Sequence, residues 1–153
     1  MTTHIGARGF LRGAAALALA LAASPASTAL AASPVGAWST ENGHGVIAIE
    51  PCGDALCGRI VGIDRKPSEP MPFDSRGRPQ CGLTIIANQR PKGDGTWRGE
   101  ITDPRNGATY QVNLWLDESG NLRLRGFLGV PLLGATQVWR PFTGRLTAGC
   151  GMA

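Results

Sequence analysis

The chain has 153 residues, of which 17% are charged, and carries 22 glycines, 11 prolines, four cysteines and a formal net charge of +4. That length fits one domain with a real core and leaves no room for two ordinary ones. The basic excess belongs partly to the first 31 residues, since without Arg8 and Arg12 it falls to two. The remaining arginines form no dense patch, which argues against a nucleic-acid partner.

Residues 1–31 read as an export signal. Arg8 and Arg12 supply a positive start, residues 14–23 are almost all Ala and Leu, and Ala29-Leu30-Ala31 has the small-x-small form of a cleavage site. The apolar run falls short of the ~20 residues of a spanning helix. No second long apolar segment follows, so the expected mature domain, residues 32–153, carries no transmembrane anchor, and a periplasmic or secreted location is expected. All four cysteines lie in it. An exported chain with Cys52, Cys57, Cys81 and Cys150 allows three full pairings, of which the local pair Cys52–Cys57 with Cys81–Cys150 is favoured. Zinc is disfavoured by the cysteine spacings and by His44 being the one histidine beyond the signal. No metal or other cofactor is implied.

Residues 35–40 read as a first strand, closed by the turn Glu41-Asn42-Gly43. Residues 46–50 form a second strand with apolar side chains on both faces. Residues 51–55 turn the chain between Cys52 and Cys57, and residues 56–63 form a third strand. Residues 64–79 hold Pro67, Pro70, Pro72 and Pro79 and keep neither a helical nor a strand period, so they read as a long loop.

Residues 81–87 are expected as a fourth strand and residues 96–102 as a fifth, separated by the turn Lys92-Gly93-Asp94-Gly95. After Asp103-Pro104-Arg105-Asn106-Gly107, residues 108–116 have the clearest period of two. Tyr110, Val112, Leu114 and Leu116 share one face, and Trp115 lies with Gln111 and Asn113 on the other. Residues 121–126 alternate Leu122 and Leu124 with Arg123 and Arg125, and residues 135–140 give the last strand. The fold class is therefore all-β: about eight antiparallel strands in a nearest-neighbour meander. Closure into a barrel removes exposed edges, and a two-sheet sandwich is the alternative.

Taken in order, several motifs resemble the DUF2147 family of small exported, mostly bacterial proteins of uncharacterised function. They are Trp38, Ile49-Glu50-Pro51-Cys52, Leu56-Cys57-Gly58-Arg59-Ile60, Gly77-Arg78-Pro79, Cys81-Gly82-Leu83, Trp97-Arg98-Gly99, Asp103-Pro104, Asn106-Gly107, Thr109-Tyr110, Arg125-Gly126, Gln137 and Trp139-Arg140. The resemblance spans residues 35–140 and implies a lipocalin-like barrel rather than an enzyme class. The chain departs from many relatives in its second cysteine pair. Phe127 and Gly134 stand where those relatives carry cysteines around the last hairpin, so Cys81 and Cys150 are either a re-sited disulfide or free. The proline-rich loop is also shorter than the Asn/Asp-rich loop of many relatives.

Candidate ligand-binding residues follow from polar and aromatic side chains near the strands. Asp103, Arg105, Asn106 and Tyr110 cluster at one turn and, with Glu100, could form a polar rim. The same residues are turn formers in their own right. Arg59, Gln137 and Arg140 could hold an anionic head group, or Arg140 could stack beside Trp139 to close a barrel end. Trp38, Trp97, Trp115 and Trp139 read mostly as core or barrel-end plugs, with pocket walls as the other reading. Catalytic residues are not apparent: there is no Gly-x-Ser-x-Gly elbow, and a triad would have to use His44. Three functions are carried forward. The first is a non-enzymatic envelope barrel for a small apolar or amphipathic ligand. The second is a structural or protein-interaction module around a solid core, with an envelope protein as its partner. The third is an envelope hydrolase.

Overall fold

A computed structural model describes residues 1–2, 32–130 and 133–153. Except for its first two residues, the expected export signal lies outside them. Eight strands form the body: β1 (Gly36–Ser39), β2 (Gly45–Cys52), β3 (Ala55–Ile63), β4 (Thr84–Pro91), β5 (Trp97–Thr102), β6 (Thr109–Leu116), β7 (Leu122–Phe127) and β8 (Ala135–Pro141). Each pairs antiparallel with the next, and β8 returns to β1 through Trp38↔Pro141 and Ser39↔Arg140, so the meander closes into a barrel rather than a sandwich. The chain then adds two short strands, β9 (Leu146–Thr147) and β10 (Gly151–Met152), with one helical turn (Ala148–Cys150) between them.

The period of two does what the sequence pattern requires. On β6 the inward Val112 and Leu114 are buried, while Gln111 and Asn113 alternate outward and stay partly exposed. One cluster gathers Trp38, Ile47, Ile49, Leu56, Ile86, Leu114, Leu122 and Trp139 inside the barrel. The meander places the β2–β3, β4–β5 and β6–β7 turns at one end of the barrel. The β1–β2, β3–β4, β5–β6 and β7–β8 connections lie at the other.

Both cysteine pairs are joined. Cys52–Cys57 staples the β2–β3 hairpin, and Cys81–Cys150 ties the long β3–β4 connection to the C-terminal tail. The tail is anchored there by Gly151 pairing parallel with Ile63. Leu146 and Val46 crowd together at Gly62, where an added side chain would meet both. This explains why β2 carries apolar residues on both faces: Ile47 looks inward and Val46 is covered from outside by the tail.

The fourth strand differs from the sequence expectation. Residues 81–83 are turn, with Gly82 at φ 82° and its N–H donating to the Ile60 carbonyl. The strand begins at Thr84 and runs on to Pro91 through an irregularity between Ala87 and Arg90. Asn88 takes φ 55° there, a left-handed conformation that Asn tolerates better than most residues. The irregularity breaks the alternation, so the sequence pattern stops short of the real strand.

Candidate functional site

The barrel interior divides into two halves. Toward the β2–β3 end it is solid. Trp38, Ile49, Leu56, Leu114, Leu122 and Trp139 fill it, and the Trp38 indole N–H donates to the Pro34 carbonyl at 2.8 Å. Toward the other end it opens into a cavity of about 570 Å³. Ile47, Ile60, Ile85, Ile101, Val112 and Leu124 line it. These residues come from β2 to β7, so the apolar wall is a product of barrel closure and not of any one segment.

Polar groups ring the mouth: Thr40, Glu41 and His44 from the β1–β2 hairpin, Gln80 from the long connection, and Thr102, Asp103 and Arg105 at the β5–β6 turn. Most are already engaged. The Arg105 guanidinium donates to both Asp103 carboxylate oxygens, at 3.0 and 2.7 Å. That contact, with a further bond from the Arg105 main-chain N–H, holds the Asp103 carboxyl below the usual carboxylate range against the opposing effect of partial burial. His44 Nδ1 lies 3.2 Å from Asp64 Oδ2, with both side chains well exposed. The Thr40 hydroxyl is taken up by Asn42 and the Gly45 carbonyl. Glu41 reaches across the barrel seam, where Oε1 accepts the Val138 N–H at 3.0 Å.

The candidate residues separate into four places. Asp103, Tyr110 and Gln137 line the cavity, and Gln137 also accepts the Trp139 indole N–H at 2.8 Å. Trp38 and Trp139 belong to the solid half, and Trp97 packs against it, half-buried. Asn106 stays in its turn, where its side-chain oxygen accepts the Ala108 N–H. Arg59, Glu100 and Arg140 alternate outward. Arg59 pairs with Glu50 at 2.9 Å on the exterior, and Arg140 is exposed beside Ser39. The cation–π contact of the described residues is Arg98 over Phe127, 5.2 Å from the ring centroid, rather than Arg140 on Trp139. The aliphatic wall and Glu41 were not among the sequence candidates. The period of two marks the wall residues as inward, but it does not say which inward positions lie above the plug.

Chemically, the site is an apolar cup with a hydrogen-bonding rim. Among the described lining residues no hydroxyl is bonded to His44, and no group of three metal-ligating side chains occurs among the described residues. A second, smaller hollow of about 120 Å³ lies under the long connection, beside Asp74, Arg76 and Thr109.

An eight-stranded antiparallel barrel, plugged at one end and open at the other, is a lipocalin-like fold. The chain belongs to the DUF2147 family, described as uncharacterized proteins conserved in bacteria, which matches residues 36–140. It is similar in structure to protein HP1028 from the human pathogen Helicobacter pylori, which is described as belonging to the lipocalin family. The TM-score is 0.61 at 14% identity, over 71% of this chain and 82% of that one. At that identity the likeness concerns the fold alone. No curated protein matches the sequence.

Proposed function

We propose that the barrel is a non-enzymatic carrier or sensor that holds a small amphipathic molecule in its open half, and that it works outside the cytoplasm at the cell envelope. The cavity supports this most directly. Its volume of about 570 Å³ falls in the range of roughly 300–1,000 Å³ typical of small-molecule sites, which are apolar with a few placed polar groups. An aliphatic tail would lie against Ile47, Ile101, Val112 and Leu124. A neutral polar head would meet Tyr110, Gln137 and the rim. An anionic head group fits less well, because Arg105 is already neutralised by Asp103 and the other described charged lining residue at the mouth is Glu41. The export signal read over residues 1–31 and the paired cysteines support the location.

Titration with the apolar dye N-phenyl-1-naphthylamine tests the reading. Dye fluorescence should rise on binding and fall on adding a long-chain alcohol or monoacylglycerol. Gly126 lines the cavity, and an added Cβ there would meet nothing within 4 Å. Gly126→Phe should therefore keep the fold while occupying the mouth and abolishing dye uptake. Dye binding that survives Gly126→Phe, or no dye binding by the wild type, would overturn the proposal.

A further inference from the structure

Among the described residues, the strands contribute three polar side chains to the cavity lining: Thr102, Tyr110 and Gln137. The Thr102 hydroxyl is paired with that of Thr109 at 2.8 Å. The Tyr110 hydroxyl can donate or accept, so it sets no polarity. Gln137 differs, because one end of its amide is held. Its Oε1 accepts the Trp139 indole N–H at 2.8 Å. An indole N–H only donates, so this contact fixes which end of the amide is the oxygen. Trp139 lies one inward step deeper on β8, buried to 3% exposure in the plug, and has no room to swing away. The Gln137 amide nitrogen is therefore left to the cavity, with its two N–H donors.

Register sets Leu124 beside Gln137, and Gly126 beside Ala135 one inward step toward the mouth. A Cβ at Gly126 would meet nothing within 4 Å. The donors thus stand at the edge of a niche that small residues keep open, against an apolar wall. At the mouth, Gln80 is held the other way round. Its Nε2 donates to the Phe73 carbonyl at 3.1 Å, which leaves its oxygen as an acceptor, near the Glu41 carboxylate among the lining residues. Those acceptors would draw a donor head, whereas Gln137 calls for an acceptor. Gln137 decides the matter, because groups at the mouth keep their water. A ligand filling the cavity strips water from the Gln137 N–H groups, and an unpaired donor against an apolar wall is costly.

We propose that Gln137 sets the polar chemistry of the ligand. The bound molecule is an apolar chain bearing an uncharged carbonyl oxygen, as in a ketone, ester or amide, that accepts from Gln137 Nε2. This rests on the reading of the cavity as a carrier site. An ammonium head has no lone pair to offer Gln137. A carboxylate would bring a charge to an apolar wall, where the lining cation Arg105 is already paired with Asp103.

Displacement of N-phenyl-1-naphthylamine by three chains of similar length tests it: methyl nonyl ketone, n-decanol and decylammonium. The ketone only accepts, the ammonium only donates, and the alcohol does both. With the wild type, ketone and alcohol should compete and the ammonium should be weakest. Gln137→Glu keeps an oxygen for the Trp139 N–H but turns the cavity-facing group into an acceptor, so the melting temperature should move little. In that variant the ketone should lose at least about ten-fold in affinity, because two acceptors then face each other. Decanol should lose much less, and decylammonium should gain. A wild type that takes decylammonium more tightly than the ketone overturns the proposal and leaves the carrier reading standing. So does a variant in which all three ligands change by the same factor. Failure of the wild type to bind the dye removes both.

Discussion

Gly99 shows how closely the wall is built where β4 is irregular. A Cβ at this position would lie 2.4 Å from the Ala87 carbonyl oxygen and 2.5 Å from the Gln89 side-chain amide. The carbonyl belongs to the irregular backbone itself and has no rotamer by which to withdraw. Gly99→Ala should therefore destabilise the fold at the upper end of the overpacking range, about 3 kcal/mol, seen as a lower urea midpoint with an unchanged slope. The glycine was visible in the sequence, but its reason was not, because the residues it must admit lie on another strand. The carboxylates make a second prediction at this scale. Asp74 accepts the main-chain N–H groups of Arg78 and Arg76 and the Arg78 side chain. Asp117 accepts the N–H groups of Ser119 and Asn121 and the Arg123 guanidinium. In both, hydrogen bonds to the ionised form, the main-chain ones foremost, lower the pKa against a smaller effect of desolvation. Asp103 is lowered chiefly by Arg105. A depressed folded-state pKa contributes stability that is complete above the unfolded value, about 4, and is lost as pH falls through the folded values. Thermal melts should thus be flat from neutral pH down to about 5 and fall steeply below about 4. The Asp74→Asn, Asp117→Asn double variant should start lower at neutral pH and show a shallower acid limb. An unchanged acid limb would remove these carboxylates from the account.

At the level of elements, what the sequence disclosed depended on whether the signal was local. β6 and β7 were readable because each alternates without interruption between strong turns, and the structure keeps that alternation as its inward and outward faces. β4 was misplaced because its irregularity interrupts the period and because Cys81-Gly82-Leu83 looks like strand while serving as a turn. The short tail strands carry too few residues to show any period. The plugged and open ends were likewise illegible, since every inward residue looks alike until the meander closes. The two disulfides were available from cysteine positions, and their locations give them unequal weight. Cys52 and Cys57 are 5 residues apart, whereas Cys81 and Cys150 are 69 apart. By chain entropy alone the first constrains the unfolded state by about 2 kcal/mol and the second by about 4 kcal/mol. Cys81→Ser with Cys150→Ser should accordingly lower the urea-derived stability more than Cys52→Ser with Cys57→Ser. The tail variant should also expose Val46 and Gly62, as the Leu146 cover loosens. Equal losses would show that the hairpin staple does more than hold local geometry.

For the whole molecule, the critical feature is where the barrel closes. β2 and β3 are joined through eight register pairs, but β8 meets β1 through two, Trp38↔Pro141 and Ser39↔Arg140. Pro141 sits in that short seam, and proline brings no N–H to a ladder. Above Ser39 the backbone pairing ends, and Glu41 takes over by accepting the Val138 N–H with its side chain. The seam therefore continues toward the cavity mouth on one charge-assisted hydrogen bond. Below, Trp38 and Trp139 are buried to 6% and 3% exposure and hold the plugged half shut. The barrel should consequently open along the β1–β8 line near the mouth before any other strand pair separates. Glu41→Ala leaves Val138 without its partner, and loss of a hydrogen bond to a charged acceptor corresponds to about ten-fold or more in local opening. Amide exchange at Val138 should rise by about that factor, with β2 and β3 amides unchanged. If the cavity holds its ligand by enclosure, the dye off-rate should rise in the same variant while global stability falls little. Uniform acceleration of exchange across all eight strands would instead mean that the seam is as strong as the rest of the wall and that the cavity is reached from its mouth alone.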